Sequence, residues 1–81
     1  MTTPLFMPGR IISEVPACVM SVDVNVGERV SRGQVLLLLE SMKMEIPVVC
    51  QHDSSVKEIV VSVGDFVATK QHLLTLVNIA S

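Results

Sequence analysis

The 81-residue chain has no Trp, no Tyr and only two Phe, so it offers neither an aromatic core nor the stacking platforms that single-stranded nucleic acid requires. It also lacks a basic run. Six Lys/Arg stand against eight Asp/Glu, for a formal charge of −2, and this removes the electrostatic footprint of a phosphate-binding surface. Long apolar runs are missing too: the longest is Val35–Leu39, far short of the roughly 20 residues that span a bilayer as a helix. Residues 1–10 hold Pro4, Pro8 and Gly9 but no charged start followed by an apolar stretch, so they do not read as a secretory signal. No nucleic-acid partner, no membrane and a cytoplasmic location are the expectations.

Cysteine is scarce. Cys18 and Cys50 lie far apart with no Cys-x-x-Cys spacing, which points away from a zinc site or a redox dithiol and toward small buried thiols. A disulfide between them is unsupported. His52 and His72 stand outside any metal-ligand spacing and read as structural or surface residues. No Ser/His/Asp, Cys/His or paired-carboxylate arrangement can be assembled from so few candidates, so the chain is not expected to be an enzyme.

What the chain has is aliphatic: 49% of it is hydrophobic and fifteen residues are Val, which favours pleated sheet over helix. Ser21–Val26 alternates strictly, with Val22, Val24 and Val26 on one face, and predicts a half-buried strand. Val35–Leu39 predicts a second strand buried on both faces or at a sheet–sheet seam. Gly27, Gly33 and Gly64 punctuate as turn residues.

A 37-residue shift exposes an internal repeat. Cys18–Glu40 aligns without a gap on Ser55–Val77, with identities at Val19/Val56, Val24/Val61, Val26/Val63, Gly27/Gly64, Val30/Val67, Gln34/Gln71, Leu36/Leu73, Leu37/Leu74 and Leu39/Leu76. Val22/Ile59 and Glu28/Asp65 are conservative pairs. Neither half can close a core alone, so the prediction is an all-β flattened barrel or sandwich of two four-stranded antiparallel sheets related by pseudo-two-fold symmetry. Residues 1–10 have no repeat partner and are expected to form a flexible tail, with the domain over 11–80. The turn near residues 42–43 corresponds under the shift to residues 79–80, which places the turn and the chain end at opposite poles.

The link between the halves reads Glu40-Ser41-Met42-Lys43-Met44-Glu45-Ile46-Pro47. A tight hairpin would ordinarily recruit Asn-Gly or another glycine pair, because its central residues need positive φ. Met-Lys at that place carries a conformational cost, and local rules are usually broken at functional sites. The pattern presents a lysine at the end of a two-stranded arm, flanked by exposed thioethers. Lys57 and Lys70 fall within or beside predicted strands, which singles out Lys43 among three lysines.

These residues resemble the Ala/Ser-Met-Lys-Met signature of biotinyl, or biotin carboxyl carrier, domains. The Val-x-Val-x-Val-Gly-Glu and Val-x-Val-Gly-Asp-x-Val segments at Val22–Glu28 and Val61–Val67 are similar to that family's two half-repeats, and the resemblance extends over residues 12–79. It implies a hammerhead-like biotinyl/lipoyl fold, covalent biotin on Lys43, and Met42, Met44, Ser41 and Glu40 as recognition flanks. Biotin protein ligase, a biotin carboxylase and a carboxyltransferase acting on an acyl-CoA or 2-oxo acid are the implied partners of a monomeric shuttle. Ser41 replaces the commoner alanine, and Ala17-Cys18 and Ser54-Ser55 stand where many carriers have glycine. The short stretch between Val19 and Gly27 leaves no room for a protruding thumb, so the chain looks like the short, thumbless, stand-alone type.

Two other readings compete. Lipoyl domains also expose a turn lysine, but their pattern resembles Asp-Lys-Ala, and neither neighbour is present here. An unmodified interaction domain could use the Met-Lys-Met tip as a docking knob.

Overall fold

The repeat becomes geometry in the structure, a computed structural model that describes residues 9–78. Eight strands form: β1 (Arg10–Ile12), β2 (Ala17–Val22), β3 (Arg29–Val30), β4 (Val35–Ser41), β5 (Met44–Val49), β6 (Ser54–Ile59), β7 (Phe66–Val67) and β8 (His72–Asn78). They make two four-stranded sheets, ordered β1-β8-β6-β3 and β5-β4-β2-β7, with every pairing antiparallel. Adding 37 to a residue number carries β1 into β5, β2 into β6, β3 into β7 and β4 into β8, so each sheet is the image of the other. Among the described residues no helix is long and apolar enough to cross a membrane.

The repeated identities now have causes. Glu28 Oε1 accepts the Asn25 N–H at 3.0 Å, and its counterpart Asp65 Oδ2 accepts the Ser62 N–H at 2.9 Å. Gln34 Oε1 accepts from Ser31 N–H and Gln71 Oε1 from Ala68 N–H in the same way. Gly27 and Gly64 adopt φ of 90° and 94°, a region L side chains rarely enter, and each donates its N–H to the opposite half, at Val56 O and Val19 O. The half-units are thus tied by reciprocal bonds, one running each way.

The core is aliphatic, as composition required. Leu36, Leu37, Leu73 and Leu74 are fully buried at its centre, with Val19, Val30, Val56 and Val67 around them. Consecutive leucines can both face inward because the ladder shifts register there: β4 slips against β5 between Val35 and Leu37. The partner sheet slips against β1 at the equivalent place, where Ile11 pairs with Leu74 and Ile12 with His72. A bulge, rather than burial on both faces, accounts for the continuous Val35–Leu39 run; Leu38 is only half-buried and Val35 is exposed.

Other expectations shift with it. The alternating stretch Ser21–Val26 is not one strand, since β2 closes at Val22 and the chain turns toward Gly27. Val24 is buried, but Val26 is 62% exposed and its repeat partner Val63 64%, because the turn redirects both. Cys50 is buried as expected of a small thiol, whereas Cys18 is exposed; both are free. The first strand starts at Arg10, which pairs with Thr75 on β8, one residue before the expected domain boundary at 11. Gly9 also leaves the predicted tail, its carbonyl accepting the Leu76 N–H at 2.9 Å; residues 1–8 of that tail, and residues 79–80 on which the opposite-pole expectation turns, lie outside the described residues. β5 forms an edge and carries Pro47, which has no N–H to offer a foreign strand.

Candidate functional site

Strands β4 and β5 meet in a two-residue hairpin. Ser41 pairs with Met44, Glu40 with Glu45 and Leu39 with Ile46, so Met42 and Lys43 are the only residues in the turn. Their φ values are 53° and 66°, both in the left-handed region that the primed hairpin turn demands. The predicted backbone cost is therefore present, at about 1 kcal/mol or more for each L-residue held there.

The turn presents its side chains outward. Met42 is 91% exposed and Met44 67%, and Lys43 is exposed. No hydrogen bond or ion pair among the described residues holds the Lys43 ammonium, although Glu40 and Glu45 flank the turn. Those two carboxylates oppose each other directly, a pairing that costs stability rather than adding it. Ser41 and Glu40 are half-buried at the root of the arm. All five sequence-predicted residues, Glu40, Ser41, Met42, Lys43 and Met44, are thus gathered on this one hairpin.

Lys70 lies beside β8, as expected, but in a turn of its own between β7 and β8 with φ of 69°. Its N–H donates to Ser13 O at 2.6 Å, and Gln71 beside it exchanges bonds with Ala68, its Oε1 accepting the Ala68 N–H and its own N–H donating to Ala68 O. Turn position alone therefore does not separate Lys43 from Lys70, but tethering of the backbone to the body does. Sequence reasoning also missed Phe66, which is 67% exposed and lines, with Cys18, Glu40, Met42 and Lys43, a groove beside the turn. The repeat alignment carried a signal for it, since the 37-residue shift aligns Phe66 with the charged Arg29, so the fold does not reserve the position for an aromatic.

An exposed primary amine at the end of a two-stranded arm can be acylated by an enzyme that encloses the turn. A family described as "Biotin-requiring enzyme", the biotin/lipoyl group, matches residues 2–76. The chain belongs to the biotin/lipoyl family. Within that family it is similar to proteins named for biotin. It is 47% identical over 61 residues to the biotinylated protein TB7.3 homolog of Mycobacterium leprae, covering 75% of this chain and 86% of that one. It is 40% identical over 75 residues to the biotin carboxyl carrier protein of Streptococcus mutans, covering 93% of this chain and 52% of the relative. Among solved structures it resembles the lipoyl domain of the 2-oxoglutarate dehydrogenase complex from Azotobacter vinelandii, with a TM-score of 0.71 at 26% identity over 79% of this chain and 81% of that one.

Proposed function

We propose that Lys43 is the residue on which this domain carries its biotin, and that Met42, Met44, Ser41 and Glu40 are the contacts a biotin protein ligase reads. The observation that supports this reading most is the turn itself: a primary amine held at positive φ, with no hydrogen-bond or ion-pair partner among the described residues, between two exposed methionines. Only a neutral amine attacks an acyl group, and lysine amines near neutral pH are almost wholly protonated. The ligase therefore supplies both the base and an activated biotinyl adenylate. An amide bond forms between Lys43 Nζ and the acyl carbon, the bond to AMP breaks, and the amine proton passes to the ligase base. The domain contributes position, and the geometry of the arm limits where the ligase can bind.

Once attached, biotin supplies the carboxyl-carrying chemistry. The domain acts as a non-catalytic cytoplasmic shuttle, visiting a biotin carboxylase and then a carboxyltransferase whose acceptor is an acyl-CoA or 2-oxo acid. Its docking at each is transient and it works as a monomer, because a carrier that stays bound cannot commute.

A lipoyl carrier is the second reading, favoured by the fold, since the structure superposes on a lipoyl domain. The methionines at positions 42 and 44 argue against it. Parallel incubation with a biotin ligase and with a lipoyl ligase, each with its acid and ATP, discriminates by intact mass. A biotinyl increment, followed by bicarbonate-dependent labelling with a biotin carboxylase, is the expected result; a lipoyl increment alone overturns the assignment. Lys43→Arg keeps the charge and the turn but cannot be acylated. It should abolish the increment, whereas an unmodified docking knob would keep its partner through the same change.

A further inference from the structure

The outer face of the sheet beside the turn carries one cross-strand row: Glu45 pairs with Glu40, Glu40 with Cys18, and Cys18 with Phe66. Paired residues share a face, and the neighbouring row, Leu39 with Val19, is the buried one. Phe66 contributes nothing to the core, where its neighbour Val67 is fully buried in its stead. The symmetry-related row in the other sheet reads Val77, Ser55 and Arg29, so the fold needs neither an aromatic ring nor a thiol at these positions. The asymmetry falls at the lysine turn, and the groove there has Lys43 itself as part of its wall.

We propose that this groove is a resting site for the ring system of the biotin attached at Lys43, and the inference rests on that attachment. Phe66 and Met42 offer apolar and thioether surface to the ring's sulfur-containing face. Glu40 offers a carboxylate acceptor to a ureido N–H. The row lies one strand residue, about 3.4 Å, farther from the tip than the Ser41–Met44 pair, within reach of a lysine side chain extended by biotin's acyl chain. Tethering places the ring at an effective concentration in the mM range, so contacts too weak to hold free biotin still hold the attached ring for part of the time. A weak site suits a carrier: the ring leaves water between visits and is surrendered to any active site that binds it better.

Cys18 reports on occupancy, because its thiol is exposed in the same groove while Cys50 is buried and serves as an internal reference. The full chain is loaded with biotin ligase, Lys43 loading is verified by peptide mapping, and iodoacetamide alkylation of Cys18 is timed in loaded and unloaded protein. Loaded protein is expected to react about threefold more slowly, the factor for a ring at rest about two-thirds of the time. Phe66→Ala should return the ratio to near one. Phe66→Arg should do the same, and it installs the residue type that the other half already carries at the equivalent position, Arg29. Equal rates in fully loaded wild type overturn the inference while leaving the attachment intact, as does protection that survives both Phe66 changes. If Lys43 takes up no biotin, the attachment reading and this one fall together. Loss of carboxylase binding in the Phe66 variants with no protection in the wild type would assign the groove to a protein partner instead, and would also overturn it.

Discussion

Lys43 and Lys70 share an unusual backbone, with φ of 66° and 69°, yet their surroundings differ in kind. The Lys70 turn is bonded to the body through Ser13 O and closed by the Gln71 side chain, in the manner of the Gly33 turn, whose N–H donates to Cys50 O and which Gln34 closes. Lys70 is the repeat partner of Gly33, a lysine standing where the other half uses glycine. The Lys43 turn stands at the end of its own two-stranded arm, its ammonium without a partner among the described residues. Positive φ on a non-glycine residue is thus no mark of function by itself; positive φ on an arm that the body does not hold is the distinguishing combination.

The sharpest way to break this comparison is to exchange the lysines' chemistry. Lys43→Arg should eliminate biotin uptake by intact mass, while Lys70→Arg should leave it at the wild-type level; residual loading in the first would contradict the account. Next in size are the symmetric core leucines. Leu37→Ala and Leu74→Ala should each cost about 2–5 kcal/mol in urea unfolding, comparable losses because the two sites are images of each other. Strongly unequal losses would mean that the halves are not energetically equivalent. Smaller again is the turn exchange. Gly33→Ala should destabilise by about 1 kcal/mol; a Cβ there meets nothing within 4 Å, so the cost is one of backbone conformation alone. Lys70→Gly should stabilise, by about 0.5–1 kcal/mol at most, since relief of the strained φ is partly offset by glycine's greater unfolded-state freedom. Identical melting behaviour for both turn variants would remove positive φ from the explanation.

Much of this was legible in the sequence because the repeat is dense. Gly27/Gly64, Gln34/Gln71 and Glu28/Asp65 are conserved between the halves for specific bonds, and an alignment of the chain on itself detects them without knowing what they do. The Met-Lys violation of hairpin chemistry located the turn and its lysine. The register shifts were not legible: two adjacent leucines read equally as a strand buried on both faces or as a bulge, and only the pairing partners decide. Val26 and Val63 keep the alternation of a strand past the point where the glycine turn has already redirected the chain. Phe66 was legible only through the repeat, which aligns it with the charged Arg29; residue type alone does not tell an exposed aromatic from a core one until the neighbouring strand supplies a face. Cys18 escaped, its expected burial resting on residue type rather than on its side of β2.

The most direct test of the central claim is site mapping after exhaustive treatment of the wild-type chain with biotin ligase, biotin and ATP. All added biotin on Lys43, with Lys57 and Lys70 unmodified, is the predicted result. Label on Lys70, whose backbone shares the same strained region but is held by the body, would show that freedom of the arm does not select the site.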